Sequence, residues 1–220
     1  ALEAAAAAFF GADPARVVAV PGSDLAMRLL GLLLGRRSFV FRPAILRPGY
    51  SGHAAMWGGY EAVACTTAEI ASIAPMHDAL VLARPNNPDG VIADPLLLEW
   101  AALTMAARGG HLIVDEAFAD ADPANSLAGC NWPGLIVLRS FGKFFGLAGL
   151  RLGFVIAPRA IAADLRALIG DWPISGPALA TGLAAYRDTA FHTAQRARLA
   201  TASQRLVDLL TRHGIYVVGQ

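Results

Sequence analysis

Lys143 lies among aromatic residues and glycines, in the segment Ser140-Phe141-Gly142-Lys143-Phe144-Phe145-Gly146. Apolar neighbours disfavour an ammonium, lower its pKa and make the amine a nucleophile toward carbonyls. The glycines let the backbone approach a flat ligand. Ser140 offers a hydroxyl and Arg151 a planar guanidinium fork, both suited to a phosphate. Upstream, Gly22-Ser23-Asp24 opens a helix, where free N–H groups and the helix dipole favour an anion. Each segment alone has a bland reading: a solvated lysine beside a strand, or an ordinary N-cap.

The surrounding elements must bring these groups together. Leu2–Phe10 reads as a helix stopped by Gly11. Val17–Val20 is a short apolar segment, and Leu25–Leu34 is helical up to Gly35. Ser38–Phe41 is strand-like, closed by Pro43 and Pro48. Ser51–Trp57 reads as a short helix, and Glu61–Ala64 and Ala79–Ala83 as strands. Asp94 caps a helix that has Pro95 at its first position and runs to about Arg108. His111–Val114, Leu135–Leu138 and Gly153–Ala157 are strands, and Ile161–Ile169 is a helix. A long helical stretch, with room for a bend, covers Pro177 to about His213. Ile215–Val218 begins another strand.

This alternation predicts an α/β fold, a mostly parallel sheet covered by helices on both faces. Ligands bind such sheets beyond the carboxyl ends of the strands. Asn87, Asp115 and Ser140–Lys143 all follow strand ends, so one mouth can collect them.

Composition narrows the class. The chain has 220 residues, 55% hydrophobic and 16% charged, enough for a large core. The net charge of +1, without a basic run, argues against a nucleic-acid surface. No stretch approaches the ~18–20 uninterrupted apolar residues of a membrane span. The opening Ala1-Leu2-Glu3-Ala4 lacks the basic region of a signal peptide. Cys65 and Cys130 have no metal-ligand spacing and read as small core residues, so no metal is expected and a reduced, cytoplasmic setting is.

The pattern Ser140-x-x-Lys143, with Arg151 eight residues after the lysine, resembles the Schiff-base region of fold-type I pyridoxal 5′-phosphate (PLP) enzymes, the aminotransferase class I/II superfamily. The resemblance implies a three-layer PLP-binding large domain, residues 1–175, and the start of an incomplete C-terminal small domain, residues 176–220. It makes Lys143 the Schiff-base lysine, with Ser140 and Arg151 on the cofactor phosphate. Asp115-Glu116-Ala117-Phe118 looks like the family's Asp-Glu-Ala-aromatic strand end, which implies Asp115 facing the pyridine nitrogen. Asn86-Asn87-Pro88-Asp89-Gly90 is similar to its Asn-Pro-x-Gly loop, which puts Asn87 on the phenolic oxygen. Gly22, Ser23 and Asp24 match the upstream phosphate loop, and Tyr50 the ring that stacks on the cofactor. His53 falls where some relatives support the aspartate, and Glu116 reads as a neighbour.

Within the superfamily the chain resembles the branch of L-threonine-O-3-phosphate decarboxylases and histidinol-phosphate aminotransferases. Phe118 replaces the tyrosine of most aminotransferases. Gly142 stands where many histidinol-phosphate aminotransferases carry a serine. The decarboxylase reading implies CO₂ loss from a small phosphorylated amino acid, giving aminopropanol phosphate for cobalamin assembly. The alternatives are a histidinol-phosphate-type aminotransferase and a non-catalytic ligand-binding domain of the same fold. Relatives imply a homodimer, with no membrane or nucleic-acid partner. Segments before and after this chain are expected to complete the substrate site. Arg187, Arg196 and Arg198 read as solvated rather than as carboxylate clamps.

Overall fold

The computed structural model describes residues 1–36 and 40–219. Seven strands form one sheet: β1 (Val17–Val20), β2 (Pro43–Leu46), β3 (Val63–Cys65), β4 (Ala79–Ala83), β5 (His111–Asp115), β6 (Leu135–Ser140) and β7 (Gly153–Ile156). Their order is β1-β7-β6-β5-β4-β2-β3, and β7 alone runs antiparallel to its neighbours. The α-helices are α1 (Leu2–Phe10), α2 (Ser23–Gly35), α3 (Gly52–Ala55), α4 (Ile70–Ile73), α5 (Pro95–Ala106), α6 (Phe141–Phe144), α7 (Arg159–Ile169), α8 (Gly176–Arg187) and α9 (Thr189–Arg212).

The central strands are apolar on both faces, as a sheet covered on both sides requires. Leu112 and Val114 of β5 join one core, and Ile113, between them, joins the other. On β6, Leu135 and Val137 face the first core, and Ile136 and Leu138 the second. This two-residue alternation sends one strand's side chains into two layers of helices. Local signals set the helix ends. Gly11 takes the left-handed conformation that closes α1, and the Asp94 carboxylate accepts from the Leu96 N–H at 2.9 Å to start α5. Burial, with Glu69 nearby, pushes the Cys65 thiol up to about 11.

Three predicted elements differ. Of the expected Ser38–Phe41 strand, residues 37–39 lie outside the described residues; Val40 and Phe41 are not in a strand. The strand here is β2, and Pro43 begins it rather than closing the preceding one. At a strand's first position the missing N–H costs no interior ladder bond. The 177–213 stretch is two helices, parted at Asp188, whose carboxylate accepts from the Phe191 N–H at 2.9 Å. Residues 215–218 form no strand; no strand among the described residues pairs with them, and an unpaired strand has no ladder to stabilise it.

The sheet's polarity places the site. Ala83 lies opposite Asp115, and Asp115 opposite Leu138, so β4, β5 and β6 end on one edge. Because β7 is antiparallel, its first residue, Gly153, pairs with Ser140 at that edge. Because β1 is antiparallel to β7, Val20 also ends there, opposite Gly153. Segments far apart in sequence therefore open onto one mouth.

Candidate active site

Gly22 turns the chain from β1 into α2 with φ of +92°, a conformation that favours glycine. The Arg151 guanidinium lies against it: a Cβ on Gly22 would stand 2.6 Å from Arg151 Nη2. Arg151 itself is left-handed, at φ 52°, and its Nη1 donates to the Ala148 carbonyl at 3.2 Å. The free N–H groups of the first turn of α2 and this guanidinium thus form an anion cradle. The Asp24 carboxylate accepts from Arg28 Nε at 3.2 Å.

Beside the cradle is a cavity of about 100 Å³. Ser23, Asp24, Tyr50, Asn87, Asp115, Phe118, Ser140 and Lys143 all line it. Of the other predicted site residues, Gly22 adjoins Ser23 in the chain, Arg151 touches Gly22, and His53 lies behind Asp115. Met27, Ala83 and Ala117 also line the cavity, and sequence reasoning missed them. Their signal was position alone: Met27 is one helical turn after Ser23, Ala83 ends β4, and Ala117 follows Asp115 by two residues.

Asp115 is buried at the end of β5. One carboxylate oxygen accepts from the Ala117 N–H at 3.1 Å; the other lies 3.3 Å from His53 Nε2. His53 is buried, and its Nδ1 has no hydrogen-bond partner among the described residues. The Tyr50 ring meets the His53 ring edge-on, at a centroid distance of 5.6 Å. Lys143 Nζ lies 5.4 Å from the centroid of the Phe118 ring. The lysine is exposed rather than desolvated as expected: it also lines a second cavity, of about 710 Å³, open toward α9. Of the aromatic residues around it in sequence, Phe144 lines that larger cavity too, whereas Phe141 and Phe145 stack at 4.4 Å within the core.

Behind these residues is a buried charge network. Arg139 Nη1 donates to Glu116 Oε2 at 2.7 Å and to Ser126 Oγ at 2.8 Å, and Nη2 donates to the Asp120 carboxylate. Glu116 also accepts from the Leu127 N–H at 2.6 Å, which engages both of its oxygens. Burial works against the Arg139 charge, but the two carboxylates outweigh it and hold the guanidinium above its usual range. Glu116 follows Asp115 and Arg139 precedes Ser140, so the network ties together the strand ends that carry the site. Glu116 is a neighbour, as read from the sequence; the burial of Arg139 was not foreseen.

Arg187 and Arg198 are exposed, as expected. Arg196 is not simply solvated: its Nε donates to the Asp120 carbonyl at 3.0 Å, and it lines the larger cavity with Lys143. Among the described residues no helix is long and apolar enough to cross a membrane, and no cluster of His, Cys, Asp and Glu could hold a metal ion.

The family model for aminotransferases of class I and II matches residues 1–220. The chain belongs to the aminotransferase class I and II family. It is 45% identical over 217 residues to the threonine-phosphate decarboxylase of Pseudomonas aeruginosa, covering 97% of this chain and 63% of that protein. It is 33% identical over 215 residues to the histidinol-phosphate aminotransferase of Paramagnetospirillum magneticum, covering 86% of this chain and 56% of that one. The chain therefore spans less than two thirds of these relatives' length. The structure of Sinorhizobium meliloti histidinol-phosphate aminotransferase, in complex with PLP, superposes with a TM-score of 0.83 at 20% identity, covering 99% of this chain and 63% of that one. At that identity the likeness is one of fold.

PLP is the cofactor of this aminotransferase family, and the cavity suits it. An amine, a carboxylate and an aromatic ring line one space beside an anion cradle. Lys143 and Phe118 line both this cavity and the larger one, so the two adjoin at those residues.

Proposed function

We propose that the protein decarboxylates L-threonine O-3-phosphate to aminopropanol phosphate, for cobalamin biosynthesis, with PLP held by Lys143. The observation that carries this reading is the 45% identity to a threonine-phosphate decarboxylase, against 33% to a histidinol-phosphate aminotransferase. Two local features support it. A Cβ at Gly142 would stand 2.8 Å from Ala148 Cα, so the serine of many aminotransferases does not fit before the lysine. Phe118 puts a ring rather than a phenol beside Lys143 Nζ.

In this reading Lys143 would be the residue that holds the cofactor aldehyde, through Nζ. Arg151, Ser140 and the N–H groups that follow Gly22 hold the cofactor phosphate. Asp115, oriented by His53 and the Ala117 N–H, keeps the ring nitrogen protonated. Asn87 would serve as donor to the phenolic oxygen and Tyr50 as the ring beside the cofactor; both line the cavity. The bound cofactor supplies an electron sink for the pair released when a substrate bond breaks. With that sink in place the Cα–carboxylate bond would be the one to break with loss of CO₂, and the Lys143 amine would carry the proton that replaces it at Cα. The reading takes residues 1–175 as the cofactor domain and 176–220 as the start of a second. It also implies a cytoplasmic homodimer.

The test measures CO₂ release from L-threonine O-3-phosphate by the PLP-loaded protein. Stoichiometric CO₂ with aminopropanol phosphate is expected. Amino transfer from glutamate to imidazole-acetol phosphate, without CO₂, overturns the decarboxylase reading in favour of an aminotransferase. Lys143 is the only lysine in the chain. Borohydride reduction should therefore fix the cofactor to a single peptide, and Lys143→Ala should remove the visible absorption of the bound cofactor. A protein that takes up no PLP fits only a non-catalytic domain.

A further inference from the structure

The larger cavity reaches from Lys143 and Phe118 to one face of α9, formed by Arg196, Leu199, Ala200 and Ser203. Residues at this spacing share a helix face. Besides Lys143, Arg196 is the only cation among its lining residues.

The placement of Arg196 is over-determined. Its guanidinium lies 5.6 Å from the Phe144 ring centroid and 5.9 Å from that of Phe9. Its Nε donates to the Asp120 carbonyl, and the Asp120 side chain is locked by buried Arg139. These contacts use one N–H and set the guanidinium within cation–π range of two rings, which pre-organises it. Both terminal nitrogens have no hydrogen-bond partner among the described residues. The other ionic group on the cavity wall, Asp122, accepts from Asn125 Nδ2 at 2.7 Å. A fixed guanidinium with free donors, facing a cavity shared with the reactive amine, is suited to a tetrahedral oxyanion.

We propose that Arg196 receives the distal phosphate monoester of the substrate and so determines specificity for phosphorylated amino acids. The proposal rests on the decarboxylase reading, which supplies such a substrate. The phosphate is the group assigned because the substrate carboxylate shares a carbon with the amine and stays beside Lys143. The phosphorus is about two bonds further from the amine than the carboxylate carbon, and the cavity that Lys143 lines is walled by α9 on its other side.

The test compares binding of O-phospho-L-threonine and of L-threonine to the PLP-loaded protein, followed by the change in cofactor absorption. Arg196→Gln should weaken phosphothreonine binding by about ten- to a hundred-fold, the worth of a charge-assisted hydrogen bond or two. Binding of L-threonine should stay in place. Arg196→Lys, which keeps the charge without the fork, should retain part of the preference and guards against a misfolded glutamine variant. Equal weakening for both amino acids, or none for either, overturns the proposal. A wild-type protein with no cofactor absorption defeats the underlying decarboxylase reading and this proposal together. An intact absorption with an unaltered preference in Arg196→Gln defeats this proposal alone.

Discussion

His53 Nε2 lies 3.3 Å from Asp115 Oδ2, with both side chains buried at the carboxyl end of β5. The second oxygen of Asp115 is held by the Ala117 N–H, so the carboxylate has one orientation. His53→Ala would leave a buried acceptor without that partner, at a cost of about 1–3 kcal/mol, read from the urea midpoint. Asp115→Asn should keep some cofactor but lower turnover on the order of a hundred-fold or more, because the ring nitrogen loses its counter-charge. Unchanged turnover would mean that the carboxylate does not face the ring.

Arg139 with Glu116 and Asp120 forms a triad of buried charges. Arg139→Met strands two carboxylates in the core and should destabilise by about 3–5 kcal/mol. Adding Glu116→Gln and Asp120→Asn to that variant should recover part of the loss, because no uncompensated charge is left. Equilibrium unfolding measures both; a wild-type midpoint for Arg139→Met would show that the triad does not brace the fold.

Gly22→Ala meets two obstacles, a φ of +92° and the Arg151 guanidinium 2.6 Å from the new Cβ. The backbone strain is worth about 1–3 kcal/mol. Displacing the guanidinium should also weaken PLP binding about ten-fold, a loss of about 1.4 kcal/mol. Cofactor titration checks this. Arg151→Ala should weaken binding comparably, whereas Gly11→Ala, at a glycine with nothing within 4 Å, should leave the cofactor affinity unaltered.

Acid stability has a traceable contribution on the surface at Asp13. The hydrogen bond from the Arg159 side chain, with that from the Ala15 N–H, holds the Asp13 carboxyl below its usual range. The unfolded chain therefore binds this proton more readily. The contribution is full above the ordinary aspartate range and is lost as pH falls through the depressed folded value. Asp13→Asn and Arg159→Gln should both flatten the dependence of melting temperature on pH just below that range. Curves parallel to wild type would remove this pair from the account.

Much of the site was legible in the sequence because local chemistry is written locally. Ala79–Ala83 and His111–Asp115 carry uninterrupted apolar runs, and the residues that follow them inherit the mouth of the sheet. The Ser-x-x-Lys spacing, the Asp115 strand end and the Gly22 turn are likewise short-range features, and they named the groups that line the cavity. Strand existence and the surroundings of the arginines were different matters. Ile215–Val218 has the composition of a strand but lacks a neighbour to bond. Arg139 and Arg196 look alike as letters, yet one is sealed between carboxylates and the other faces a cavity. That difference comes from partners distant in the chain: Asp120 lies 76 residues before Arg196. Periodicity reports which face of an element avoids water, but only the assembled sheet decides which remote charge meets it.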